Sequence, residues 1–201
     1  IAGTRSFIAS IVIFFYLKRP VFHFSFPQTT AAVAHAVTML LFVAANKMTT
    51  AANAILLQYT APVMTAFIGA ALLKERPHLE HYVALPVAAA GMILMFHNEL
   101  GSGNMLGNLL ALASAVTMSF YFVYMRMQKD GSPLESVLLS HWLTAVLCLV
   151  VSLFLPLPQV TMKSLAAVAV LGIVQLGMSA ILFSFAIKHV SAVSAVLIAI
   201  I

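Results

Sequence analysis

Residues 41–60, LFVAANKMTTAANAILLQYT, are echoed in register by residues 182–201, LFSFAIKHVSAVSAVLIAII. Seven of the twenty pairs are identical: Leu41/Leu182, Phe42/Phe183, Ala45/Ala186, Lys47/Lys188, Ala51/Ala192, Ala54/Ala195 and Leu56/Leu197. Thr50/Ser191 and Ile55/Val196 are conservative. Biased composition alone gives less agreement than this, so the echo reads as a duplicated structural unit. Duplicated membrane units are characteristic of secondary transporters.

The solvent of such a unit follows from composition. The chain is 63% apolar and 7% charged, with a mean hydropathy of +1.07. A soluble domain carries about 25% charged residues, so lipid is the medium. The single cysteine, Cys148, lies inside the apolar run LTAVLCLVVSLFL, which rules out a disulfide framework or a CxxC metal site within the chain. A net charge of +5 raises the question of nucleic acid, yet the ten basic residues stand singly or in pairs rather than in a stripe with interleaved aromatics. They read as membrane-topology signals, and no nucleic-acid partner is expected.

Eight apolar stretches alternate with polar breaks: Ile1 to Leu17, Thr29 to Ala45, Thr50 to Leu73, His81 to Phe96, Met105 to Met127, Leu134 to Leu155, Lys163 to Lys188, and Ser191 onward. Most approach the roughly 20 residues a helix needs to cross a bilayer. The first stretch opens without Met and the last halts in an apolar run, so a fragment of a longer protein is expected. A cleavable signal peptide is not, because Lys18 and Arg19 follow the first apolar core instead of preceding it.

Lys and Arg accumulate in cytoplasmic loops. One set of alternate loops carries Lys18, Arg19, Lys74, Arg76, Arg126, Lys129 and Lys188, and the other only Lys47 and Lys163. The loops after the first, third, fifth and seventh stretches are therefore expected inside. Lys47 then lies outside and its echo Lys188 inside, so the two copies cross in opposite senses. Laying Arg5–Pro20 on His141–Pro156 gives the same arrangement: a basic side chain, an apolar run, and Pro fifteen residues later. Inverted repeats of this kind place a substrate site near the midplane at their interface.

The segment AANAILLQYTAPVMTAFIGAALLKERP, residues 51–77, has Pro62 in mid-helix and Glu75 at its inner end. It resembles the fourth-helix signature of the EamA domain of the drug/metabolite transporter superfamily. The Ala- and Phe-rich first stretch with Arg5 resembles that domain's second helix. The resemblance implies an all-α transmembrane, inverted-repeat helical bundle: two sets of five helices in the full protein, about eight spans of which are present here. Residues 1–97 then form a first repeat lacking its first helix, and residues 98–201 a second repeat cut within its fourth helix. It further implies a multi-pass protein of the inner or plasma membrane, not an enzyme, that works as a secondary transporter and exporter of small metabolites such as amino acids by alternating access. Its partners would be a small-molecule substrate and the bilayer, with a homodimer left open and no cofactor or metal. A sugar-phosphate or nucleotide-sugar carrier, a non-transporting assembly subunit and a membrane-embedded transferase remain as alternatives.

Polar residues inside spans are costly in lipid and normally face the bundle or a wet cavity. Arg5, His35, Asn53, Gln58, Tyr59, Tyr121, His141, Trp142 and Gln175 are accordingly the substrate-binding candidates, and Tyr124 stands on the same face as Tyr121. Arg5 has the charge to hold a substrate carboxylate. His35 titrates near physiological pH and is either a proton carrier or a neutral hydrogen-bonding group. Pro62 and Pro86 interrupt helices and are candidate hinges, and Glu75, between Lys74 and Arg76, is a candidate gate element. Gly103, Gly107, Ala111, Ala115 and Ser119 recur every four residues and predict close helix packing. No HExxH, GxSxG or P-loop is present, and all five acids fall at loops or helix ends, so no catalytic residues are expected.

Overall fold

A computed structural model describes residues 2–75, 79–96, 103–154 and 161–200. Its described residues form eight helices: α1 Ala2–Leu17, α2 Phe26–Met48, α3 Ala51–Leu72, α4 Leu79–Phe96, α5 Met105–Met127, α6 Pro133–Ser152, α7 Met162–Ala186 and α8 Ala192–Ile200. Five of them, α2, α3, α5, α6 and α7, are long and apolar enough to cross a membrane.

Local chemistry sets the helix ends. Ser25 caps α2 by accepting from the Gln28 N–H, and Pro27 stands at the first turn, where its missing donor costs nothing. This starts α2 three residues before the expected Thr29. Thr50 caps α3 by accepting from the Asn53 N–H at 3.1 Å, and Asn104 caps α5 by accepting from Leu106 N–H at 2.8 Å. Thr161 and Ser164 open α7 with a reciprocal capping box.

Two helices are irregular. The α3 ladder breaks at Tyr59 and Thr60, just before Pro62, dividing it into Ala51–Gln58 and Ala61–Leu72. Proline lacks the N–H that would continue the ladder, so the bend expected at Pro62 is present. Pro86 lies inside α4 as expected. In α7, residues Leu171–Met178 are wound as a π-helix, which sequence periodicity did not signal.

Helix α5 is the central post. It packs against α2, α3 and α8, while α2 also meets α6, and α1 lies between α6 and the π-helical segment of α7. The small-residue face works as its spacing predicts: Ala111, Ala115 and Ser119 are fully buried, and Gly107 lies against the backbone of Met48 and Thr49. Thr38 of α2 and Thr117 of α5 bond at 2.7 Å, and Ser119 donates to the Ala61 carbonyl of α3 at 2.9 Å. Outward-facing Phe15, Leu94, Met105 and Met162 are each at least 74% exposed, a surface suited to acyl chains.

The loops after α1, α3, α5 and α7 gather at one end. There Val21 N–H donates to Glu135, Arg126 meets Glu75, and Lys188 donates to the Gly131 carbonyl. These are the loops that the basic-residue count places inside. At the other end Thr49 donates to Asn108 at 2.7 Å, joining α2 to α5.

Candidate functional site

Three helices bring their polar side chains together midway along the bundle. His35 of α2 lies with its ring centroid 4.7 Å from that of Tyr121 of α5 and 5.3 Å from that of His141 of α6. Tyr121 also stacks with Phe183 of α7 at 6.1 Å, so four helices share the cluster. At about 1.5 Å rise per residue, the three polar groups stand about 9 to 14 Å from the inner helix ends. That is near mid-depth of a hydrocarbon layer about 30 Å thick. The Nδ1 atoms of both histidines are buried without a hydrogen-bond partner. Buried polar groups are almost always satisfied, so two nitrogens without partners among the described residues are unused hydrogen-bonding capacity in one cluster.

The remaining candidates fall into three groups. Gln58, at the last turn before the α3 break, donates to Ser114 of α5 at 3.4 Å, with Tyr59 as the capping residue of that segment. Arg5 of α1 meets Gln175 of the π-helical segment through an Nη2 to Oε1 bond of 2.5 Å, pairing two residues 170 positions apart, and its Nε is buried without a partner. Asn53 and Trp142 stand elsewhere. Asn53 is buried at the start of α3, where its side chain donates to Thr49. Trp142 is 37% exposed and lies against Phe14 and Phe22, with ring centroids 6.3 and 5.4 Å away, beside an apolar groove of α1. Tyr124 faces Phe26 nearer the inner end, at 5.7 Å.

One end of the bundle is tied together around Glu75. Its Oε1 accepts from Arg126 Nε at 2.8 Å, and its Oε2 accepts from the Ala192 N–H at the start of α8, at 3.3 Å. Arg126 Nη1 in turn donates to the carbonyls of Ile187 and Lys188 beyond the end of α7, both at 2.9 Å. One carboxylate and one guanidinium thus connect α3, α5, α7 and α8. In the sequence Arg126 reads only as a topology signal. Its spacing of 51 residues from Glu75 offers no local pattern that reveals the pair.

The echo that opened the sequence reading has a counterpart in hydrogen bonds. Thr50 accepts from Asn53 N–H at 3.1 Å, and Ser191, 141 residues on, accepts from Ser194 N–H at 3.2 Å. The Thr49 N–H donates to the Ala45 carbonyl, and the Val190 N–H to the Ala186 carbonyl, again 141 residues on. Residues 1–97 and 105–200 match the model of the EamA-like transporter family. The chain belongs to that family. A solved structure, described only as the crystal structure of a protein, superposes with a TM-score of 0.81 at 21% identity, over 99% of this chain and 72% of its own. That likeness supports the same fold. No curated protein matches at comparable stringency. This EamA-like chain is therefore an all-helical, multi-pass membrane protein of a transporter family, and its medium and a small-molecule substrate follow from that membership.

Proposed function

We propose that this EamA-like chain is part of a secondary transporter of the inner or plasma membrane that exports small metabolites by alternating access between two inverted repeats, residues 1–97 and 98–201. The observation that carries the reading is the mid-depth cluster of His35, Tyr121 and His141, with two unsatisfied nitrogens inside a bundle whose outer surface is apolar. Polar groups so placed are expensive and mark a solute path. The recurrence of caps 141 residues apart supports the duplication, and the opposite ends at which the two caps lie support its inversion. In this reading the Glu75–Arg126 knot is the inner gate, and the break before Pro62 is a hinge.

The resemblance brings amino acids to mind as solutes. A guanidinium held in mid-span favours a second class, phosphorylated or otherwise acidic metabolites. Uptake of a labelled panel covering both classes by proteoliposomes containing the full-length protein tests the reading. At least one class enters faster than in empty vesicles. Tyr121→Ala and Gln58→Ala each reduce that flux by about tenfold or more, the loss expected when substrate-positioning groups are removed. Flux equal to that of empty vesicles for every compound contradicts the proposal.

A further inference from the structure

Among the described residues, Arg5 is a charge without a counter-charge. It stands about 18 Å along α1 from Leu17, taking about 1.5 Å per residue, well within the hydrocarbon layer. The partner that its guanidinium meets is the neutral carbonyl oxygen of Gln175, at 2.5 Å, and its Nε is buried with none. The acids among the described residues lie elsewhere: Glu75 is held by Arg126, Glu135 accepts from the Val21 N–H, Glu80 stands in the first turn of α4, and Asp130 lies between α5 and α6. A charge in a span normally pairs with an opposite charge or marks a substrate path.

The setting of Gln175 explains how such an arrangement persists. Its backbone belongs to the π-helical stretch, a rare winding that is frequent at functional sites. Gly172 and Gly177 seat that stretch directly on α1: a Cβ at Gly172 would stand 2.8 Å from Ile8 and 3.2 Å from the Arg5 carbonyl. The amide oxygen of Gln175 therefore occupies the place on the guanidinium where one oxygen of a carboxylate or phosphate would sit. Both groups match a guanidinium with two parallel hydrogen bonds, which the single amide oxygen does not provide.

From this we infer that the solute carried by this chain is a small organic anion, whose carboxylate or phosphate displaces Gln175 from Arg5, and that it bears no ammonium group. The inference rests on the transporter reading above and narrows it. The unpartnered Nδ1 atoms of His35 and His141 add hydrogen-bonding capacity about 4 to 6 Å nearer the inner helix ends by the same rise per residue, and Tyr121 adds an aromatic face. A zwitterionic amino acid would satisfy Arg5, but its ammonium would find no carboxylate beside Arg5 among the described residues, where Glu75 and Glu135 are engaged elsewhere.

The experiment compares four labelled classes in proteoliposomes of the full-length protein: simple carboxylates, sugar phosphates, zwitterionic amino acids and organic cations. The carboxylate and phosphate arms identify which anion is taken. The expected result is uptake of at least one of the two anion classes, accelerated by an inside-positive potential, with amino acids and organic cations at background. Arg5→Gln raises KM about tenfold or more, consistent with loss of a charge-assisted bidentate contact. Arg5→Lys recovers part of the loss, and Gln175→Leu lowers KM because the competing amide is gone.

Uptake of amino acids or cations with no anion flux overturns the inference and leaves the transporter reading standing. An Arg5→Gln variant with unchanged KM for the anion also overturns it. Should Arg5→Gln fail to fold, Gln175→Leu decides alone: a KM at or above the wild-type value is contrary to the inference. Should nothing be transported, the transporter reading fails. The anion site is then judged by melting of the purified protein: a Tm raised by a carboxylate or sugar phosphate supports it, and no change overturns it.

Discussion

Gly107 shows how closely single residues decide this structure. A Cβ built there would stand 2.8 Å from the Met48 carbonyl carbon and from the Thr49 N and Cβ, which are parts of a neighbouring helix end that cannot rotate away. Gly107→Ala is expected to lower stability by about 1–3 kcal/mol, the usual range for overpacking, read as a lower Tm in detergent. Gly91→Ala is the control, because nothing lies within 4 Å of its added methyl. It should leave Tm unchanged or raise it, since alanine is better than glycine in a helix by about 1 kcal/mol. The every-fourth-residue spacing made the Gly107 contact legible in the sequence. The meeting of His35 with His141 was not legible, because each is the one histidine of its own helix and only the tertiary arrangement places the rings 5.3 Å apart.

At the scale of elements, most of the helical plan was readable, including the break in α3, and the π-helical stretch and exact helix ends were not. Helix α2 begins at Phe26 and ends at Met48, each three residues beyond the expected Thr29 and Ala45, because Ser25 and Pro27 cap the start and α2 continues until Thr49. The π-helical stretch of α7 left only one trace, the spacing of Gly172 and Gly177, and that spacing has meaning only once α1 is seen against it. The break in α3 was readable from Pro62, and its role as a hinge can be tested. Pro62→Ala restores a backbone donor. It should raise Tm while slowing transport several-fold, whereas unchanged turnover would mark the bend as fixed shape.

The inner knot makes a separate prediction. The side chains of Arg126 and Glu75 are 14% and 29% exposed, so the pair is partly shielded from water. Arg126→Gln leaves the Glu75 carboxylate and two carbonyls without their charged donor. A cost of about 2 kcal/mol is expected, seen as a lower Tm and faster reaction of thiols placed at the inner ends of α3 and α8. Equal labelling in variant and wild type would argue against a gate.

At the scale of the whole molecule, composition identified lipid as the medium, and the alternation of basic loops gave the sidedness. The structure agrees with that count, since the loops bearing Lys18, Lys74, Lys129 and Lys188 lie at one end, bound to one another through Glu75, Arg126 and Glu135. What the molecule adds to the sequence is convergence: a central cluster from α2, α5 and α6, closed below by a knot from α3, α5, α7 and α8. We propose that this arrangement exposes one solute site to each side of the membrane in turn. Counterflow tests that claim most directly. Proteoliposomes of the full-length protein, loaded with unlabelled solute, should take up labelled solute faster than empty-loaded ones, with saturation, and Tyr121→Ala should abolish the acceleration. Uptake that rises linearly with concentration and ignores internal solute would contradict alternating access.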